Sequence, residues 1–199
     1  MQKTKIALFP LQLFLLPGEK SRLHIFEARY KQLLLDCEQN DTTFGIPLSI
    51  KGALTGYGSI VKIIHEFNVH EDGSSDIEIV GESIFKIEKF HSRMGEKLYP
   101  GGDVIILKQE EIQPVSENFM RELGKYLQKS RHELIPELLS TNLDIYSAAR
   151  LIALDEVGKL NLVKSKSAAA KELILMNKLR ILSKLQDQIN SVKGNIFLN

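Results

Sequence analysis

The sequence predicts an α+β fold, with short strands forming a barrel or sandwich over residues 1–112 and helices over residues 113–199. Three observations carry this. Leu8–Asp36 (LFPLQLFLLPGEKSRLHIFEARYKQLLLD) passes from an apolar run through a Pro-Gly turn to a second apolar segment, and then to helical spacing. Between Thr43 and Leu107, strand-like runs follow one another too closely to leave room for the crossover helices of a parallel sheet. From Ile112 onward the apolar residues recur three and four positions apart.

Each element has a local reason. The run Leu8–Leu16 is broken by Pro10 and stopped by Pro17-Gly18, so it reads as two short strands or an edge strand, because proline cannot donate to a central ladder. Phe14 and Leu15 are adjacent and in a regular strand would face opposite ways, which puts one of them outside the barrel. That residue is either covered by the C-terminal helices or left partly exposed as an apolar patch. Leu23–Phe26 is a second strand, and a helix over about residues 27–39 follows, with Tyr30, Leu33, Leu34 and Cys37 on one face. Thr43–Ile50 and Leu54–Val69 are strands. In the latter, Gly56 and Gly58 bracket Tyr57 and signal a bulge or a close backbone approach. His70–Ser75 is a polar hairpin loop; Asp76–Val80 and Ser83–Phe90 alternate as two further strands, with a twist expected at Phe90. Tyr99–Gly102 is a turn before a last buried strand, Val104–Leu107.

In the helical part Ser116 is a candidate N-cap for a helix whose face is Phe119, Met120, Leu123 and Leu127. His132–Asn142, containing Pro136, is a connector. Asp144 caps a helix through Ile145, Ala148, Ile152 and Leu154, and Asp155 caps a short turn weakened by Gly158. Ser167 opens the longest helix, with Leu175, Leu179, Leu182, Leu185, Ile189 and Val192 at helical spacing and Gly194 as its expected stop.

Composition narrows the function classes. Lys+Arg 26 against Asp+Glu 25 gives a formal charge of +1. That balance disfavours nucleic acid and anionic membranes, which favour a marked basic excess. Cys37 is the single cysteine, so an internal disulfide and a thiolate metal cage are both excluded, and a reducing cytoplasm fits. The basic Met1–Lys5 followed by apolar Ile6–Leu16 mimics a secretory leader, but Pro10 interrupts the apolar core and Gly18–Ser21 has no small-x-small cleavage site. The segment reads as folded chain, and no apolar stretch has the length to cross a bilayer.

The patterns that could carry chemistry each favour a plain reading. Leu151–Glu156 has the apolar-run-then-Asp-Glu form of a nucleotide-hydrolysis motif, yet its context is helical and no phosphate loop accompanies it. Ser59 and Lys62 have the spacing of a serine–lysine dyad, but residues three apart in a strand face opposite sides. His24, His65, His70, His91 and His132 show no ligand spacing, so no metal and no other cofactor is assigned.

The first stretch also carries a family resemblance. Phe9-Pro10-Leu11, Phe14 with Pro17-Gly18, Leu23-His24-Ile25-Phe26-Glu27 and Arg29-Tyr30 occur together, in order and at fixed separations, and resemble the opening of the Lon-protease N-terminal domain in its short stand-alone bacterial form. The stretch from Gly56 to Ile87 is similar to that family's long hairpin, although Gly81–Phe85 stands where the family commonly has arginine-rich text. The resemblance implies a PUA-like mixed β pseudo-barrel followed by a C-terminal helical subdomain, as parts of one substrate-binding unit. It implies a non-enzymatic module, without the ATPase and protease portions of full-length Lon, that captures unfolded or degron-bearing polypeptide and can serve a protease in trans. The alternative is an RNA-binding PUA-like domain, which rests on fold analogy alone. A further reading, a small-molecule sensor, rests on a related domain in cereblon.

Within the family signature the residues expected to be structural are Phe9, Pro10, Pro17, Gly18, Phe26, Glu27, Arg29 and Tyr30. Glu27 is expected to cap the helix, where its charge suits the N-terminal dipole, and Arg29 to tie helix to barrel; a ligand clamp is the rival reading. Phe14 and Leu15 are the candidate peptide-binding residues. The basic residues Lys159, Lys164, Lys166, Lys171, Lys178, Arg180 and Lys184 read as a solvated helical surface, with an acidic partner as the minority alternative. Oligomeric state is not encoded in any of these patterns.

Overall fold

The computed structural model describes residues 2–107, 114–130 and 143–196. The chain divides into two compact units, Met1–Gln109 and Glu110–Asn199.

The first unit is a six-stranded sheet and one helix, in the order β1 (Gln2–Ala7), β2 (Lys20–Ile25), α1 (Ala28–Asn40), β3 (Phe44–Ile50), β4 (Ala53–Phe67), β5 (Ser75–His91) and β6 (Gly101–Ile106). The strands lie in the order β1-β6-β5-β4-β3, with β2 paired to β5. All these ladders are antiparallel. Parallel pairing, expected from a mixed sheet, is confined among the described residues to isolated bridges, Leu8 to Gly45 and Leu11 to Leu48. Those two bridges join the chain after β1 to β3, the opposite end of the strand order. Phe9 N donates to Gly45 O (2.8 Å), Leu11 N to Pro47 O (3.2 Å) and Ser49 N to Leu11 O (2.7 Å), so the sheet curls closed into a pseudo-barrel.

The first strand therefore lies upstream of the expected one. Leu8–Leu16 contributes bridges rather than a ladder, because Pro10 removes a donor and Pro17-Gly18 turns the chain away. The two strands expected at Asp76–Val80 and Ser83–Phe90 are one strand of 17 residues. Its first half pairs with β2 and its second half with β6, while β4 runs along its other edge. The expected twist is a register shift between Ile87 and Lys89 rather than at Phe90. Gly58 marks a close approach: a Cβ there would lie 2.3 Å from Phe85 Cζ and 2.5 Å from the Ile46 carbonyl oxygen.

The helix α1 closes one side of this core. Its buried face is Tyr30, Leu33, Leu34 and Cys37, which join Phe9, Leu15, Ile25, Phe44, Ile46, Val61, Ile77, Ile79 and Tyr99 in one apolar cluster. A second cluster holds Leu8, Ile60, Phe85 and Val104. At about 1.5–3 kcal/mol for each large apolar side chain removed from water, these two clusters dominate the stability of the unit.

The second unit is helical: α2 (Glu117–Ser130), α3 (Ile145–Leu151), α4 (Glu156–Lys164) and α5 (Ala168–Ile196), with the first three all packed on α5. The starts are side-chain caps as the sequence indicates. Ser116 Oγ accepts from Phe119 N (3.2 Å), Asp144 Oδ1 from Tyr146 N and Ser147 N (2.8 and 2.9 Å), Asp155 Oδ1 from Gly158 N (2.8 Å) and Ser167 Oγ from Ala170 N (3.2 Å). Asp155 opens a nine-residue helix rather than a turn. Gly158 is tolerated because Leu154 fills its side of the helix; a Cβ there would meet Leu154 Cδ1 at 2.7 Å. Gly194 does not stop α5, which continues to Ile196. A glycine inside a helix costs only about 1 kcal/mol, which flanking turns can absorb. The connector at His132–Asn142, including Pro136, lies outside the described residues, as does the side chain of Val192.

Candidate functional site

The residues singled out in the sequence fall into three places. Phe14 and Leu15 are both buried, at 0% and 2% exposure. The expectation that an exposed member of this pair forms a client patch is thereby corrected. Residues 12–16 belong to no ladder, so adjacent side chains need not alternate between two faces. Phe9 is also buried and stacks on Tyr30 with ring centroids 3.7 Å apart. Burial raises the Tyr30 phenol above its ordinary pKa. Pro10, Pro17 and Gly18 shape the connection, and Gly18 (φ 78°) supplies the left-handed turn into β2.

Glu27 and Arg29 sit at the start of α1. Glu27 holds the N-cap position by its backbone, but its side chain accepts no capping bond. Instead it accepts from Arg29, whose Nε lies 2.9 Å and whose guanidinium Nη2 lies 2.7 Å from Glu27 Oε2. The guanidinium also lies 4.6 Å from the centroid of the Tyr30 ring. Arg29 thus binds its own helix start rather than bridging to the barrel. An i, i+2 pair beside an aromatic ring holds the guanidinium where it lies.

Phe26, by contrast, is 63% exposed at the end of β2. Val69, in the turn after β4, is 71% exposed. Between their neighbours the structure brings together groups that sequence spacing does not link. His24 Nδ1 donates to Asp76 Oδ1 at 2.8 Å, and His70 Nε2 lies 3.7 Å from Asp76 Oδ2. The rings of His24 and His70 meet edge to face at 5.8 Å, and His24 stacks on Phe26 at 6.0 Å. Asn68 Nδ2 donates to Asp76 Oδ2 at 3.3 Å. These bonds, the one from His24 first, hold the Asp76 carboxyl below its usual pKa. The one clue in the sequence is the hairpin itself, whose short polar loop sets His70 and Asp76 at its two ends.

Two open clefts flank the C-terminal end of α1. The larger, about 520 Å³, is lined by residues that include Asp36, Cys37, Met94, Lys97 and Tyr99. The smaller, about 360 Å³, is lined by residues that include Cys37, Thr42, Lys62, Ile63 and His65. In the first, Asp36 accepts from Lys97 Nζ (2.9 Å) and Tyr99 Oη (2.7 Å). Those two hydrogen bonds, Lys97 leading, hold Asp36 below the ordinary carboxylate range. Burial, aided by the bond to Asp36, drives the Tyr99 phenol well above its ordinary value. Cys37 is buried and burial raises its thiol pKa, which suits an inert packing residue rather than a nucleophile.

A curled antiparallel sheet closed by one helix, joined in sequence to a helical unit, is an architecture that solved structures share. The chain is similar to the crystal structure of a Lon N-terminal domain protein from Xanthomonas campestris, with a TM-score of 0.68 and 25% identity over 87% of this chain and 98% of that one. It is also similar to the N-terminal domain of the Mycobacterium avium complex Lon protease, with a TM-score of 0.63 and 14% identity over 92% and 98% of the two chains, a likeness of fold alone. No curated protein matches the chain. Residues 5–188 match the model of the ATP-dependent protease La (LON) substrate-binding domain. The chain belongs to that family. Among the described residues no helix is long and apolar enough to cross a membrane.

Proposed function

We propose that the chain binds extended, unfolded polypeptide along the outer edge of β2. The observation that carries this reading is membership of a substrate-binding family over residues 5–188. The choice of surface rests on β2 itself. Among the described ladders this strand pairs only with β5, and Lys20, Arg22 and His24 are exposed along it. A strand with one unpaired edge offers alternate backbone donors and acceptors to an incoming chain. Phe26 stands at its C-terminal end, and Val69, next to His70 whose ring meets that of His24, offers a second exposed apolar contact for client side chains. Delivery of the captured chain to a protease acting in trans is part of the same proposal.

The test uses a permanently unfolded, carboxymethylated protein as client. Replacing both Phe26 and Val69 with Ser removes two exposed apolar contacts and is expected to weaken binding about tenfold, since about 1.4 kcal/mol is a tenfold change. Thermal stability stays within about 0.5 kcal/mol of the parent, as for surface substitutions. A client peptide N-methylated at alternate residues loses the ladder donors and is expected to bind far more weakly. Binding that persists as salt rises supports hydrophobic capture. An affinity that collapses with salt, or full binding by the N-methylated peptide, refutes the reading.

A further inference from the structure

We propose that His24, His70 and Asp76 form a binding site for one divalent transition-metal ion, with zinc the closest chemical match. The three come from separate elements: β2, the β4–β5 hairpin loop and β5. His24 and Asp76 are register partners across the β2–β5 ladder, so the sheet itself holds them side by side. One ligand atom from each residue lies within 4.8 Å of the other two. Around a tetrahedral zinc ion with bonds of about 2.0–2.1 Å, ligand atoms stand about 3.4 Å apart. The observed 2.8 Å from His24 Nδ1 to Asp76 Oδ1 and 3.7 Å from His70 Nε2 to Asp76 Oδ2 straddle that spacing, the two imidazoles facing the two oxygens of one carboxylate. Both imidazoles are about half exposed, which leaves them room to turn the last few tenths of an ångström.

The surroundings hold the ligands in place. His70 N donates to Ser74 O (2.8 Å), and Gly73 N donates to His70 O (2.9 Å). Asp72 Oδ1 accepts from both Ser74 N (2.9 Å) and Ser74 Oγ (2.6 Å), so the loop that carries His70 is hydrogen-bonded to itself. Asn68 orients the Asp76 carboxylate from outside the cluster, as supporting groups do at metal sites. On binding, the His24 ring takes the tautomer with its proton on Nε2, exchanged through solvent, so that the Nδ1 lone pair is free to take the ion. The hydrogen bond to Asp76 is thereby exchanged for two metal bonds. Two imidazoles with one carboxylate suit zinc, nickel or copper rather than magnesium or calcium, which take oxygen ligands. Three protein ligands leave a coordination position for water or for a group from another molecule.

His91 and Asp103 provide an internal control. Their Nε2–Oδ2 distance is also 2.8 Å, but they belong to no three-ligand cluster among the described residues.

The experiment uses untagged, chelator-treated protein titrated with cobalt(II) chloride, and then with zinc sulfate in competition. One equivalent of cobalt is expected to give visible d–d absorption, which zinc abolishes, and zinc is expected to raise the melting temperature. His24→Ala and His70→Ala, each checked for native circular dichroism, are each expected to weaken zinc binding at least tenfold, whereas His91→Gln leaves it unchanged. Absence of a one-to-one cobalt spectrum overturns the proposal. So does zinc affinity that survives both histidine substitutions, or that falls equally in His91→Gln. The readouts are independent of client binding, so this site and the peptide edge stand or fall separately.

Discussion

The helices α1 and α5 announce themselves in the same way, as apolar residues three and four apart, yet they end in different surroundings. The four stripe positions of α1, Tyr30, Leu33, Leu34 and Cys37, are all buried, with Leu33 at 1% exposure, while Leu35 off the stripe is exposed. On α5 the stripe is buried only at first: Leu175 and Leu179 are at 0% and 1%, whereas Leu185 and Ile189 are at 49% and 48%. Length explains the difference. At about 1.5 Å per residue, α5 with its 29 residues outruns α2, of 14, and α4, of 9, which pack on it. The polar anchors differ too. Asp36 of α1 is shared by Lys97 and the buried phenol of Tyr99, while among the described residues Asp187 of α5 meets Lys129, in an ion pair with both side chains about half exposed. Spacing reports which residues share a face. It does not report how much of that face is covered.

The comparison can be broken at its strongest point. Leu33→Ala in α1 is expected to cost about 2–5 kcal/mol in urea unfolding, as for a large core side chain replaced by a small one. A loss below about 1 kcal/mol would mean that α1 is less firmly seated than its burial indicates.

Asp36 sharpens the polar half. Its pKa is depressed in the folded chain, so the stability it contributes is fully present above the unfolded carboxylate value, near 4, and is lost as pH falls through the lower folded value. Wild type is therefore expected to be more stable than Asp36→Asn at neutral pH, with the gap closing on acidification below about pH 4. A gap that stays constant through that window would place the effect in packing rather than charge.

The far end of α5 should respond least. Asp187→Asn is expected to change stability by about 0–1 kcal/mol, the usual range for an exposed ion pair. Leu185→Ser is expected to stay within about 0.5 kcal/mol. A cost of several kcal/mol for Leu185→Ser would show that this face is covered in solution.

The same contrast explains what was legible in the sequence. Caps are local chemistry, so Ser116, Asp144, Asp155 and Ser167 could be read directly, as could the buried face of α1. The family signature carried the fold. Some misreadings are local, as at Glu27, Asp155 and Gly194, but the larger ones concern relations that no short window contains. Phe14 and Leu15 were assigned to two faces on the assumption of a ladder, but their segment has none. Asp76–Val80 and Ser83–Phe90 looked like two strands because Gly81 interrupts the pattern. In the structure Gly81 is where Leu16 and Leu15 come close, with the Leu16 carbonyl oxygen 2.6 Å from where a Cβ would stand. The convergence of His24, His70 and Asp76 depends on the β2–β5 register, which spacing along the chain cannot express.

The pairing of β1 with β6 sets a timetable for synthesis. Gln2 is the register partner of Ile106, so the first strand of this unit to leave the ribosome must wait for its last. At about 5–20 residues per second, that interval is on the order of 5–20 s. During it the nascent chain carries unpaired strands and an unclosed barrel. Contacts this distant in sequence also slow folding after release, because the loop must close before the pairing repays it. A chain that belongs to a substrate-binding family is thus, for several seconds of its own birth, an unfolded polypeptide with exposed strands.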